Sequence, residues 1–120
     1  MTVPTTTIET GSATMTSYAM GILEQVEMGP AIVEYLERID ATLAPFDGQF
    51  IVHGGEHGVR EGRDPGAVIV IEFPDRAAAE AWYDSPAYRE ILPLRTGHSI
   101  SNVLIVDGVD RDHRATDVLR

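Results

Sequence analysis

The stretch "AVIVIEFPDRAAAEAWYDSPAYREIL" (residues 67–92) decides the fold class of this chain. Its first seven residues, 67–73, are apolar at six positions and rich in Val and Ile, which predicts a strand buried on both faces. Asp75 is a typical helix N-cap, and Ser85 followed by Pro86 is typical of a second helix start. The stretch therefore predicts a strand followed by a helix that restarts at Ser85.

Another helix is predicted upstream, beginning at Pro30, a residue suited to the first helical turn. Its apolar residues recur every three or four positions and form a stripe that would face a sheet. Pro45 and Gly48 are predicted to end this helix, and Pro93 to end the later one. The predicted stripe consists of Ile32, Leu36, Ile39 and Leu43.

The predicted order of elements is strand, helix, strand, strand, helix, strand. That order is typical of an α+β protein with a ferredoxin-like βαββαβ fold, in which a four-stranded antiparallel sheet carries both helices on one face. We expect one domain over residues 15–109, between a flexible N-terminal tail at 1–14 and a polar C-terminal tail at 110–120. The other three strands are predicted at residues 17–26, 49–55 and 102–108.

Apolar residues on both faces of the predicted sheet indicate a partner. Strand 67–73 and the run "VLIV" at 103–106 leave few polar positions for a solvent-facing side. Two helices cover only one face, and an exposed apolar sheet face favours aggregation. We therefore predict a homodimer in which two sheets pack face to face.

Composition excludes several classes of function. The chain has 120 residues, no Cys, a formal charge of −10 and nine basic residues, all of them Arg. Without Cys and Lys it forms no disulfide, thiolate ligand or lysine Schiff base, and the missing Cys fits a reducing cytoplasm, where we expect the protein to act. The sequence shows neither a basic cluster nor an apolar run of membrane-spanning length, so we expect no nucleic-acid or membrane partner.

Side-chain alternation along the strands suggests a candidate acid–base pair. On strand 49–55, Phe50 and Val52 are predicted to face the helices, and His53 the dimer partner. Glu72 is predicted to face the partner as well. Burial in an apolar space raises the pKa of a carboxylate, so Glu72 and His53 are candidate catalytic residues for proton abstraction. The alternative is that Glu72 pairs with an Arg or is hydrated at the dimer edge.

Further candidates lie near the end of the later helix. Arg95 and His98 are predicted on a loop at the rim of the sheet, where binding groups are common. Arg suits a carboxylate, so Arg95, with Tyr83 and Tyr88, is a candidate substrate-binding residue, and His98 is a candidate catalytic one. The alternatives are core packing for the tyrosines, an ion pair with Asp or Glu for Arg95 and a loop hydrogen bond for His98. Trp82 is predicted to face the sheet.

Metal and cofactor motifs are weak or missing. The segment "HGGEHG" places His53, Glu56 and His57 close together, a combination that can attract a divalent ion. It lies on a Gly-rich turn without the spacing of a helical His-x-x-x-His site, so we predict no metal. Glycine-rich nucleotide motifs and a GxSxG elbow are also missing from the sequence, and we expect no cofactor.

Three segments carry a resemblance to a known family: "GPAIVEYLERIDATLAPFDGQFIVHGG" (29–55), "VIVIEFPDRAAAEAWYDSPAYREILPLRTGHS" (68–99) and "NVLIVDGV" (102–109). They resemble the family known as domain of unknown function 1330 (DUF1330), in the dimeric α/β-barrel superfamily. The resemblance implies the ferredoxin-like fold and the face-to-face dimer. It implies no activity, because the family has none assigned. Members of that superfamily include cofactor-free monooxygenases, isomerases and haem enzymes, so the resemblance leaves the class of reaction open.

Two hypotheses of function follow from the sequence. In the first, a small homodimeric protein holds a small organic molecule in a cleft between sheet and helices. There it performs cofactor-independent acid–base chemistry of the isomerase or monooxygenase type. In the second, the protein is a non-catalytic module that binds a ligand or another protein.

Overall fold

The computed structural model describes residues 15–119, so the predicted flexible tail at 1–14 lies outside the described residues. Within them the chain forms four strands and three α-helices, with a 3-10 turn after the first helix and another near the C-terminus. The elements are β1 (Ser17–Val26), α1 (Pro30–Leu43), β2 (Gln49–His53), β3 (Ala67–Phe73), α2 (Arg76–Asp84), α3 (Pro86–Thr96) and β4 (Ser99–Asp107).

The strands form one antiparallel sheet in the order β2-β3-β1-β4. β3 and β1 are central, and β2 and β4 are the edges. The helices pack against one face of the sheet, where their buried side chains join those of β1 and β3 in a single core cluster. This topology confirms the predicted α+β class and the ferredoxin-like βαββαβ order.

Two side-chain caps set the helix starts that the sequence predicts. The Asp75 carboxylate accepts a hydrogen bond from the backbone N–H of Ala78 at 2.8 Å. The Ser85 hydroxyl accepts one from the backbone N–H of Tyr88 at 3.3 Å. Each cap satisfies a backbone donor that the first helical turn leaves unpaired, which stabilises a helix by about 1 kcal/mol. Ser85 thereby divides the later helix into α2 and α3.

Trp82 is at the centre of the core and faces the sheet, as predicted. Its ring centroid lies 5.5 Å from that of Phe73 and 4.2 Å from that of Tyr88. Its indole N–H donates a hydrogen bond to the Thr42 hydroxyl at 2.9 Å, so the polar edge of the buried ring is satisfied. This contact links α2 to α1 across the core.

The apolar stripe of α1 differs from the predicted one at a single position. Leu36 is 42 % exposed, whereas Tyr35 is buried. Tyr35 lies three residues after Ile32 and four before Ile39, so these three side chains share the face that packs on the sheet. Leu36 is therefore exposed at the edge of the stripe, because an aromatic residue occupies the buried side of that turn.

Helix α3 does not end at Pro93 and continues to Thr96, contrary to prediction. Proline lacks an N–H and removes one helical hydrogen bond, but the following turn is held by other contacts. The N–H of Gly97 donates to the Pro93 carbonyl at 2.9 Å, and the N–H of His98 donates to the Arg95 carbonyl at 3.1 Å. Arg95 therefore belongs to the last turn of a helix, and its predicted position on a loop is wrong.

A β-bulge in β2 reverses the predicted alternation of this strand. The register with β3 shifts between Phe50 and Val52, which leaves Ile51 as the extra residue. Phe50 faces the helices as predicted. Beyond the bulge, Val52 faces away from the helices, and His53, opposite Ile69, faces toward them. The predicted faces of Val52 and His53 are both wrong, because one added residue moves every later side chain to the other face.

The face of the sheet that points away from the helices, here called the outer face, is apolar and open. Side chains that alternate along β4 lie on it, and Leu104 at its middle is 50 % exposed. This is the arrangement from which the sequence predicts a partner. The exposed apolar residues of the outer face are Val52, Ile100, Leu104 and Val106.

Within the described part of the predicted polar tail, residues 110–119, a 3-10 turn forms at Ala115–Leu119. None of the helices within residues 15–119 has the length and apolar content that crossing a membrane requires.

Candidate functional site

A cavity of about 90 Å³ lies between the helices and the sheet face that they cover. The sheet forms its floor, α1 forms its roof and α3 closes one end. Most of its surface is apolar, and a few polar side chains reach it from different elements. The lining residues used below are Gly21, Tyr35, His53, Trp82, Tyr88 and Arg95.

Arg95 contributes a buried cation to this cavity. It follows Tyr88 by seven residues and Ile91 by four, so the extra turn of α3 places all three on the buried face. Arg95 is only 6 % exposed. Its Nη1 donates a hydrogen bond to Ser101 Oγ at 2.6 Å, and its guanidinium carbon lies 5.8 Å from the centre of the Tyr35 ring.

The charge of Arg95 has no carboxylate partner among residues 15–119, because none of the ion pairs formed there includes it. The ion pair expected as the alternative role of Arg95 is thus not formed within this part of the chain. Burial acts to lower the pKa of the guanidinium, but the adjacent Tyr88 and Tyr35 raise it, and the net direction is upward. Arg95 therefore carries a positive charge against a mostly apolar wall.

Tyr35 and Tyr88 form a buried hydroxyl pair beside Arg95. Their oxygens are 2.7 Å apart, and their rings meet edge to face with centroids 6.2 Å apart. Burial, more than the neighbouring Tyr88, raises the pKa of Tyr35 well above its ordinary value. Tyr35 is therefore a neutral phenol at any physiological pH and keeps its hydrogen for donation.

His53 lines the same cavity, because the bulge at Ile51 turns it toward the helices. Its imidazole stacks on the Phe50 ring, with centroids 4.3 Å apart and planes 13° from parallel. The side chain is exposed to solvent, so it stands at the opening of the cavity. Of the three predicted catalytic residues, His53, Glu72 and His98, the structure brings only His53 to the cavity.

Glu72 lies on the outer face, between Tyr18 of β1 and Gln49 of β2. His53 is opposite Ile69, three residues away along β3 and on the other side of the sheet. Since a strand rises about 3.3 Å per residue, the two groups are separated by roughly 10 Å along the strand as well as by the sheet itself. The structure does not bring the predicted acid–base pair together.

His98 and Tyr83 lie outside the residues that line the cavity. His98 Nδ1 is 3.1 Å from the carbonyl oxygen of Leu94, the local hydrogen bond expected as its alternative role. The Tyr83 ring is half-buried, with its centroid 5.4 Å from that of Tyr88, and the Arg89 guanidinium lies over it at 5.1 Å. Of the three predicted substrate-binding residues, the structure brings Tyr88 and Arg95 together.

The "HGGEHG" segment does not gather metal ligands. His57 Nε2 is 3.0 Å from Asp64 Oδ1, and this hydrogen bond is the main cause that raises the pKa of His57. His53 faces the cavity instead. Within residues 15–119, no three His, Asp or Glu side chains are grouped so that they would hold a metal ion.

Sequence reasoning did not find two polar residues of the site, Tyr35 and Ser101. The spacing of Tyr35 from Ile32 and Ile39 is a helical signal that would have found it. Ser101 shares the alternation of Val103 on β4, but the strand was predicted to begin only at residue 102. The observed strand begins at Ser99, which places Ser101 within reach of Arg95.

Solved structures of low sequence identity resemble this chain. A protein of unknown function from Rhodopseudomonas palustris is 16 % identical, with a TM-score of 0.62 over 80 % of this chain and 84 % of that chain. A dimeric ferredoxin-like protein of unknown function from Jannaschia sp. CCS1 is 20 % identical, with a TM-score of 0.58 over 79 % of this chain and 99 % of that chain. At these identities the likeness shows the fold alone.

The search among curated proteins finds no match. The comparison with family models is informative, because one model matches residues 16–109, most of the chain. With the observed topology, that match identifies the family: the chain belongs to the family described as "Domain of unknown function (DUF1330)".

Proposed function

We propose that the cavity binds a small organic molecule and that the protein performs acid–base chemistry on it without a cofactor. The observation that carries this proposal is the convergence of Arg95, the Tyr35–Tyr88 pair and His53 on one mostly apolar cavity. Ligand sites are commonly apolar cavities in which a few polar groups fix the orientation of the ligand. The groups that line this cavity suit that role better than the outer face of the sheet does.

The size of the cavity limits the ligand. Its volume of about 90 Å³ is smaller than the roughly 150 Å³ of an engineered cavity that binds benzene. The enclosed part therefore suits a molecule smaller than benzene, or the end of a longer one. A longer ligand would extend through the opening past Leu36 and His53.

His53 is the proposed general base. An imidazole at the opening can take a proton from a carbon atom next to a carbonyl group. The negative charge that then develops on the carbonyl oxygen would be stabilised by the donors of Arg95 and the tyrosine pair. This chemistry is of the isomerase type.

Binding is tested by adding a methyl group to the cavity floor. Gly21 lies on this floor, and a Cβ there would make only ordinary contacts, the nearest 3.5 Å from Leu23. We expect Gly21→Ala to raise the free energy of unfolding by about 0.5–1 kcal/mol, because Gly weakens a strand. The same variant should bind butan-2-one more weakly, since the methyl group occupies cavity space. Trp82, the only tryptophan, lines the cavity and reports binding by its fluorescence.

Gly55→Ala is the matched control, because a Cβ at Gly55 meets nothing within 4 Å. It should leave butan-2-one binding unchanged. If Gly21→Ala and Gly55→Ala bind butan-2-one equally well, the cavity is not the site at which it binds.

Catalysis is tested by deuterium exchange at the carbons next to the butan-2-one carbonyl, followed by NMR in D₂O. We expect the wild-type protein to accelerate exchange, and His53→Gln to reduce the acceleration by about 100-fold or more, the usual contribution of a general base. His98→Gln is the control, since His98 lies outside the cavity lining. Binding without accelerated exchange would contradict catalysis and leave the alternative, a non-catalytic ligand-binding module.

The apolar outer face supports the further proposal that two chains associate through it. Its exposed residues lie on one surface of the sheet that the helices leave open. Covering them would stabilise the assembly by roughly 25 cal/mol for each Å² of apolar surface removed from water. A similar fold in the Jannaschia protein belongs to a dimer.

A further inference from the structure

We infer that the ligand of this cavity is a small monocarboxylic acid, bound through its carboxylate by Arg95 and by one hydroxyl of the Tyr35–Tyr88 pair. This inference rests on the proposed function, since it names the class of molecule that occupies the same cavity. In this inference the carboxylate is the carbonyl group that the proposed function assigns to Arg95 and the tyrosine pair. It adds a charge requirement that binding of a neutral molecule does not have.

The unpaired charge of Arg95 is the first support. The chain has 19 acidic residues and nine arginines, so carboxylates are not scarce. Arg38, Arg76 and Arg89 each pair with at least one carboxylate at the surface. Arg95 is buried and within residues 15–119 meets no carboxylate at all, although the desolvation of a lone cation is costly. An anionic ligand would supply the missing partner.

The surplus of hydrogen-bond donors is the second support. A guanidinium has five N–H donors. Within the described chain Ser101 Oγ accepts one of them at 2.6 Å, and the hydroxyls of Tyr35 and Tyr88 also interact with the guanidinium, so the donors outnumber the acceptors. In the Tyr35–Tyr88 pair, one hydroxyl hydrogen forms the bond between the two oxygens, so the other remains available. The groups beside Arg95 thus offer hydrogens, and the complementary ligand group is an acceptor with two oxygen atoms, which Arg binds in a bidentate manner.

The walls of the cavity define the rest of the ligand. Beyond Arg95 and the tyrosines, the floor and roof are formed by Ile69, Ile71, Ile32 and Ile39. A second anionic group would lie against these apolar side chains, where an isolated charge is strongly disfavoured. One carboxylate followed by a short apolar chain satisfies both ends of the cavity.

The test compares straight-chain carboxylates from acetate to hexanoate with their primary amides, which have nearly the same shape and no charge. Trp82 fluorescence and the methyl NMR signals of Ile69 and Ile71 report occupancy of the cavity. We expect butanoate to bind about tenfold or more tightly than butanamide, in line with the strength of hydrogen bonds between charged groups.

Arg95→Met removes the charge and keeps a long side chain. We expect it to weaken butanoate binding about tenfold or more and butanamide binding less, so that the preference for butanoate over butanamide is lost. Arg38→Met is the matched control, because Arg38 forms its ion pairs at the surface of α1. It should retain the preference. Arg95→Lys keeps the charge without the bidentate geometry and should retain only part of it.

The outcomes separate the inference from the proposed function. If butan-2-one and butanamide bind in the cavity and butanoate binds no more tightly, the inference is overturned and the proposed function stands. If no probe of either kind binds, both fail. Should Arg95→Met not fold, the ratio between butanoate and butanamide for the wild-type protein decides the question by itself.

Discussion

Trp82→Ala is expected to lower the free energy of unfolding by about 3–5 kcal/mol, the cost of deleting a large buried aromatic side chain. The Trp82 ring packs between Phe73 and Tyr88, and its N–H donates to Thr42. Alanine would leave a cavity at the junction of sheet, α1 and α3. Small domains are stable by about 5–15 kcal/mol in total, so this loss removes a large fraction of the stability of the fold.

Urea denaturation followed by far-UV circular dichroism measures this loss, since the variant has no tryptophan. Tyr83→Ala is the control on the same helix, and its half-buried ring should cost only about 1 kcal/mol. Trp82→Phe keeps an aromatic ring but removes the hydrogen bond to Thr42, and its loss should lie between the two. Equal losses for Trp82→Ala and Tyr83→Ala would contradict the central place of Trp82 in the core.

Leu104→Glu is expected to convert the proposed dimer into a folded monomer. Leu104 lies at the middle of β4 on the outer face, paired with Met20 and 50 % exposed in the single chain. In a face-to-face dimer a carboxylate at this position would be buried without a partner, which costs several kcal/mol for each chain. In a monomer the same carboxylate is hydrated, so the fold should be retained.

Native mass spectrometry and sedimentation velocity measure the subunit count, and circular dichroism checks the fold. Val118→Glu is the control, because Val118 is 74 % exposed in the C-terminal turn and outside the sheet. It should leave the dimer intact. A monomeric wild-type protein would refute the dimer, and a Leu104→Glu dimer would show that the chains associate through another surface.

The parts of the fold that follow from local patterns could be predicted from the sequence. The run of Val and Ile identifies β3, and the Asp75 and Ser85 caps mark the starts of α2 and α3. Each of these features depends on residues close together in the chain. The ferredoxin-like order then follows from the sequence of elements and the rules of their connection.

The parts of the site that were not predicted depend on contacts between distant segments. The bulge at Ile51 exists only in the pairing of β2 with β3, and no residue type marks it in the sequence. The turn of α3 after Pro93 requires Gly97 and His98 to bond its last carbonyls. These two irregularities set the positions of His53 and Arg95, so pattern reasoning selected both residues but could not find that they share a cavity.

The bulge in β2 also affects how molecules of this protein meet in solution. β2 is an edge strand of only five residues, and an edge strand offers unpaired N–H and C=O groups to any other strand that approaches it. A bulge twists such an edge and breaks its regular row of hydrogen-bonding groups, so a second sheet cannot extend it in register. Growth into fibrils by pairing of one sheet edge with another is thereby disfavoured at this edge. The single irregular residue that turns His53 inward also helps to keep the protein from polymerising.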